Sequence, residues 1–319
     1  MALRSPAIFV LSALLAFAQE PIRGPMLGWV WDSQKETIRP VLGIAGSSLL
    51  GASLDLGAPV KAAAIPGTAE YALVLLGDGR DPALVSLRES QPSALPLPDV
   101  APGATRVDLS PSGDAAALSY SEEKKIILLT GLPAAPSIQG SFDLSVEGMP
   151  ASLALNDGGS TLVATYPALP ATLVFDSAGN RWPLPFDLGV KALAFFENSR
   201  DALLSASDGV YLARNVSEAT ELTQVWSSPA AGAVAPFDAK RILIVDTEAE
   251  NILKLDLESG EKLTVQCPCA PTNLTRMPGG VIFRLNEVSN GPLWLVEVED
   301  SGLRAVFVPP DASGLDMED

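Results

Sequence analysis

Six sequence units of about 40 residues, each carrying four short apolar runs, predict an all-β fold, a β-propeller, between Val60 and Pro309. The runs alternate with the period of two that marks half-buried strands, as in Ile252 to Leu257 and Leu293 to Val298. Clusters rich in Gly, Asp, Asn, Ser and Pro fall between them, supplying the positive φ angles and side-chain-to-backbone bonds of tight turns.

The units begin near Val60, Ala104, Ala151, Val190, Gly232 and Pro271. In the second, the strands are expected at Arg106–Leu109, Ala115–Tyr120, Lys125–Thr130 and Ser137–Leu144. The fifth gives Gly232–Phe237, Arg241–Thr247, Ile252–Leu257 and Lys262–Cys267, and the sixth gives Thr272–Arg276, Val281–Leu285, Leu293–Val298 and Leu303–Val308. Turns are expected at Ser110–Asp114, Asn156–Gly159, Ser207–Gly209, Glu258–Gly260 and Pro278–Gly280. One such unit cannot bury both of its faces, so the ring is expected to form one cooperative domain, residues 19–309. A β-sandwich would give no such period.

Before the first unit, Gly28–Asp32 and Thr37–Leu42 read as the outer two strands of a shortened blade, joined by a turn at Ser33–Glu36. This makes seven blades, six full and one short. A six-bladed ring decorated by a hairpin is the alternative. Gly43–Gly51 is superficially like a phosphate-binding loop, but no Lys follows and no helix is expected, so it reads as a connection between blades.

Two stretches resemble known repeats. Val107-Asp-Leu-Ser-Pro-Ser-Gly-Asp114 is similar to the first-strand turn of bacterial propeller repeats, and Ile244 to Gly260 is similar to the YVTN-type repeat. The chain thus resembles the exported bacterial propeller proteins of the YVTN, NHL and WD-like superfamily. That group holds enzymes, binding modules and scaffolds, so the resemblance implies a fold and carries no functional residue with it. The Gly-His and Trp-Asp marks of WD repeats are absent.

Residues 1–18 read as a secretory signal. Arg4 precedes the apolar run Ala7–Phe17, and Ala16-Phe17-Ala18 forms a small-x-small cleavage site. The expected location is the periplasm or the extracellular space. The last ten residues, 310–319, are acidic and read as a disordered tail. Cys267 and Cys269, the two cysteines of the sequence, flank Pro268. In an oxidising compartment they are expected to form a local disulfide, with free thiols or a redox-active pair as the alternatives.

The 319 residues contain 38 Asp and Glu against 21 Lys and Arg, a formal charge of −17, and no histidine. That balance excludes nucleic acid and anionic membranes as partners. The lack of His excludes Ser-His-Asp and Cys-His catalysis and the commonest zinc and iron ligand sets. Ser121-Glu-Glu-Lys124 matches the S-x-x-K nucleophile motif, but falls on a strand-to-strand turn and not at a buried helix start. Asp78–Asp81 and Asn156–Gly159 offer oxygen ligands for Ca²⁺, yet each lacks the alternating set of a calcium loop.

The turns joining second to third strands are expected on the funnel face. They place Asp78, Asp81, Glu122, Glu123, Glu248, Glu250 and Glu287 there, which read first as plain solvated turns and second as candidates for holding a divalent cation or a cationic partner. The sequence therefore supports an exported, non-catalytic binding or scaffold propeller, a monomer acting on an unidentified protein or small ligand. No cofactor is expected beyond Ca²⁺ at such a rim. The alternative is a carboxylate- or Ca²⁺-dependent enzyme of lactonase, lyase or glycosidase type, since Asp and Glu can do acid–base work without His. Trp29 and Trp31 offer a contact surface for an envelope complex, or a cover for the side of the ring.

Overall fold

Alternating side chains require each strand to bury two faces, and the chain meets this by stacking sheets around an axis. The computed structural model describes residues 24–89, 92–166, 171–185 and 188–311. The expected signal segment 1–18 and residues 312–319 lie outside them. Seven antiparallel sheets form, six of four strands and one of three. The chain is a seven-bladed β-propeller, and the six-bladed alternative is set aside.

Blade 1 consists of β1 (Met26–Asp32), β2 (Thr37–Ile44) and β3 (Ser47–Leu50). Blades 2 to 7 begin with the inner strands Val60–Ala64, Arg106–Leu109, Ser152–Leu155, Ala192–Phe195, Ala231–Pro236 and Thr275–Arg276. The second blade-forming unit of the sequence matches closely, with strands Ala115–Tyr120, Lys125–Thr130 and Ser137–Asp143 after the inner one.

Every blade-to-blade interface is a separate apolar core. Leu73 and Leu75 of blade 2 pack on Leu118 and Leu129 of blade 3, while Ala72 and Val74, one residue out of phase, pack toward Ile38 of blade 1. Both faces of a middle strand are therefore buried, which is why Tyr71–Leu76 and Ala115–Tyr120 read as unbroken apolar runs. Each fully buried Leu, Ile or Val contributes about 1.5–3 kcal/mol. Carboxylates stitch the turns between blades. Asp157 of blade 4 accepts N–H bonds from Ser112 (2.8 Å) in blade 3 and Asn198 (2.6 Å) in blade 5. Asp114 of blade 3 accepts from the Gly158 N–H at 3.0 Å.

Blade 1 differs from the expectation in one respect. Its hairpin occupies the second and third strand positions, not the outer two. The β1–β2 turn matches the second-to-third turns of blades 2, 3 and 6: each ends on a residue with φ near 50°, namely Glu36, Arg80, Lys124 and Glu250. Lys61 confirms the alignment by bridging Glu36 at 2.9 Å and Asp78, in the corresponding turn of blade 2, at 3.3 Å. β3 is then the outermost strand, and the innermost position of blade 1 is not filled by any described residue. Gly43–Gly51 is accordingly a turn and a strand inside blade 1, not a connection between blades.

The ring closes between blades 7 and 1. Val30 and Val41 pack on Leu293, Leu295 and Val308. Arg39, buried in β2, donates to Asp32 (3.1 Å), to the Gly51 carbonyl (2.9 Å) and to both carboxylate oxygens of Asp311 (2.7 Å each). Asp311, assigned by the sequence to the tail, is thus fixed on blade 1 and also paired with Lys35. Cys267, at the end of an outer strand of blade 6, is bonded to Cys269 with the Cα atoms 5.2 Å apart. No described helix is long and apolar enough to cross a membrane.

Candidate functional site

The six inner strands and β1 enclose a central channel with a cavity of about 660 Å³, lined by every blade. Such a volume falls within the 300–1,000 Å³ range of small-molecule sites. The wall is chiefly apolar and small, from residues such as Ala63, Leu155, Ala194, Val234 and Leu274, because seven strands converge there.

Charged groups cluster in this wall at two places, in blade 3 and in blade 7, and Glu197 of blade 5 also lines it. Arg106 and Asp108 stand two residues apart on one strand and so face the same side. The Arg106 Nη2 donates to Asp108 Oδ1 at 2.7 Å, and its Nη1 reaches the Ala151 carbonyl of blade 4 at 3.1 Å. The other carboxylate oxygen, Oδ2, is buried without a hydrogen-bond partner. Burial pushes the Asp108 carboxyl above its ordinary pKa, while Arg106 opposes the shift.

In blade 7, Arg284 grips Glu287 with both guanidinium arms, Nη1 to Oε2 at 2.8 Å and Nη2 to Oε1 at 2.9 Å. Asn273 donates to the same Oε1 at 2.7 Å, and its own Oδ1 is buried and unpartnered. Burial lowers the Arg284 pKa against the pull of Glu287. Nearby, Arg276 lies over the Phe283 ring at 5.2 Å and donates to the carbonyls of Pro236 (2.8 Å) and Phe237 (2.5 Å) in blade 6. Its stem also abuts Gly67 of blade 2, where an added Cβ would lie 3.1 Å from the Arg276 Cδ. Desolvation lowers its pKa, and Glu197 and Asp238 oppose this.

Of the seven rim candidates, Glu287 lines the channel, because the long loop after Arg284 folds inward. Asp78, Asp81, Glu122, Glu123, Glu248 and Glu250 are exposed on turns two strands out from the axis. Glu250 borders a separate surface groove beside Cys269. Among the described residues, no group of three or more Cys, Asp or Glu is placed to hold a metal ion. In Asn156–Gly159 the side-chain oxygens are taken up by the turn and by neighbouring blades. Ser121 and Lys124 are exposed on a turn, as their position between two strand runs implied.

Arg106, Asp108, Asn273, Arg276 and Arg284 were not singled out from the sequence. A signal existed: Arg106-Val-Asp108 and Arg276 put charge into inner strands, where the units beginning near Ala151, Val190 and Gly232 carry none. Trp29 and Trp31 line the channel and pack on blade 2, so they cover no outer side of the ring.

No protein-family model matches the chain, and no curated protein matches it in sequence. Solved structures do. A functionally unknown protein from Desulfotomaculum acetoxidans superposes with a TM-score of 0.60 at 10% identity, covering 89% of this chain and 100% of its own. AztD from Citrobacter koseri gives 0.58 at 14% identity, covering 90% and 83%. A Bacteroides fragilis protein whose name proposes a 6-phosphogluconolactonase gives 0.57 at 12% identity, covering 89% and 95%. The likeness is one of fold. Propellers of this shape serve more than one kind of function, so the channel's own residues must carry any functional reading.

Proposed function

We propose that this is an exported, non-catalytic binding propeller that takes a small polar ligand into its central channel. The observation that carries the reading is the state of the channel charges. Arg106 is paired with Asp108, Arg284 is paired with Glu287, and Arg276 donates to the backbone carbonyls of Pro236 and Phe237. These groups are prearranged to orient a ligand by hydrogen bonds, and among the described channel residues none of the hydrogen bonds above joins a nucleophile to an activating base. The signal-like residues 1–18 and the Cys267–Cys269 bond support export.

The test is a thermal-shift screen of the protein with neutral sugars, amines, carboxylates and Ca²⁺, followed by mass spectrometry of each compound that raises the melting temperature. Binding compounds are expected back chemically unchanged. Conversion of any of them at a rate abolished by Asp108→Asn would replace this reading with the enzymatic one.

A further inference from the structure

A second hollow, outside the channel, lies between blades 6 and 7 on the face that carries the second-to-third turns, with a volume of about 460 Å³. Its origin is the length of one loop. In blade 6 four residues, 247–250, join the second strand, ending at Asp246, to the third, starting at Asn251. In blade 7 eight residues, 285–292, separate Arg284 from Leu293. The longer loop forms one wall, through Asn286 and Pro292, and the Pro268–Ala270 connection forms another. Trp294 of blade 7 and Glu250 of blade 6 also line the hollow.

Both walls are held in place by the protein's own bonds. The Cys267–Cys269 bond closes the connection, and the Cys267 N–H donates to the Glu250 carbonyl at 2.9 Å, tying it to the turn of blade 6. In the loop, Asn286 Oδ1 accepts the Trp294 N–H at 2.7 Å while its Nδ2 donates to the Pro292 carbonyl at 3.0 Å. Ser289 Oγ accepts the Gly291 N–H at 3.2 Å. The loop's polar side chains are thus taken up within it. What remains for a partner is the half-exposed Trp294 ring and the exposed Glu250 carboxylate.

These two groups define the chemistry. Glu248 and Glu250 are exposed on one turn and have no ion-pair partner among the described residues. No Lys or Arg lines the hollow. Phe307, 52% exposed, tilts against Trp294 with the ring centres 5.5 Å apart, so the aromatic surface continues outward. An aromatic ring beside an unpaired carboxylate suits a long cationic side chain, whose head lies over the ring and whose methylenes cover apolar surface. The formal charge of −17 attracts a basic partner to this face. An open trough accommodates an extended chain laid across it, and aromatic-lined grooves are a recurrent way of holding such chains.

We propose that this hollow docks an extended, basic segment of a partner protein, with an Arg or Lys side chain lying over Trp294 and pairing with Glu250. The hollow shares no lining residue with the channel, so this docking stands or falls apart from the channel ligand.

Fluorescence anisotropy tests this with a labelled octapeptide of alternating Arg and Pro, and with a Gln–Pro peptide of equal length as reference. The Arg–Pro peptide is expected to bind the parent saturably, at least about tenfold more tightly than the Gln–Pro peptide. Glu250→Gln should weaken it about fivefold. Glu122→Gln with Glu123→Gln removes more charge from another turn of the same face, and should change binding by less than about twofold. Equal weakening in both variants would reduce the effect to general acidity and overturn the proposal, as would the absence of saturable binding. Trp294→Leu, checked by its thermal midpoint, should cost about tenfold, and a folded Trp294→Leu protein that binds like the parent overturns the contact. Should that variant fold poorly, the Glu variants decide alone.

Discussion

Replacing Arg39 by Met should be among the most damaging single changes at the seam between the last blade and the first. The side chain is 5% exposed and Asp32 is 3% exposed, so the pair sits away from water. Removing Arg39 strips Asp32 of its buried counter-ion, breaks the bond to the Gly51 carbonyl and frees Asp311. Breaking a buried pair from one side costs about 3–5 kcal/mol. The Asp311 contribution is smaller, since that carboxylate is 28% exposed and partly screened. The penalty comes mainly from the stranded Asp32 charge. A second change, Asp32→Asn, removes that charge while keeping an oxygen to accept the N–H groups of Gln34 and Lys35. The double variant should therefore be more stable than Arg39→Met alone, with a coupling of about 1–3 kcal/mol. Urea unfolding followed by tryptophan fluorescence reads all three proteins against the parent. A loss under about 1 kcal/mol for Arg39→Met, or a double variant weaker than the single, would refute the reasoning.

Three further outcomes are expected. Hydrogen bonds from Arg39 first, and then from Lys35, hold the Asp311 carboxyl well below its ordinary pKa. A depressed folded-state pKa stabilises above the unfolded value of about 3.9 and is lost as pH falls through the lower folded one. The stability gap between the parent and Asp311→Asn should thus be constant from pH 7 to about 5 and shrink below about pH 4, as urea midpoints at each pH will show. Asp157→Ala removes acceptors that join blades 3, 4 and 5, and should cost about 1.5–3 kcal/mol in the same unfolding assay. Gly28→Ala meets the rigid Pro278 ring at 2.6 Å and adopts a φ of +145°, which only glycine tolerates. Its expected cost is about 1–3 kcal/mol, seen as a lower thermal midpoint.

Most of the fold was legible because its determinants are local and repeated. Strands such as Lys125–Thr130 and Leu293–Val298 have bounds matching those read from alternation and turn chemistry alone. The blade position of β1 and β2 was not legible, because second and third strands share the same two-sided burial and their sequences do not say which lies nearer the axis. The function of Gly43–Gly51 was obscured for a related reason: glycines at φ +107° and +81° make a tight turn that composition alone does not distinguish from a loop. The site was harder to read. Acidic turns such as Glu122–Glu123 draw attention by charge, yet solvated turns are where charge is cheapest. The channel groups Arg106, Asp108 and Arg284 are few, and their importance comes from a ring that brings distant strands to one axis. Asp311 shows the same effect, as an acidic residue near the end of the sequence becomes a partner of a buried arginine through closure.

The central claim, that the channel binds a ligand through its prearranged polar groups, is tested most directly by calorimetric titration of a compound found in the thermal-shift screen. The parent should bind it saturably at one site. A variant carrying Arg106→Leu with Asp108→Leu, which removes both members of a half-buried charge pair and so strands neither charge, should keep its thermal midpoint and is predicted to bind at least about tenfold more weakly. Undiminished binding by that folded variant would contradict the account.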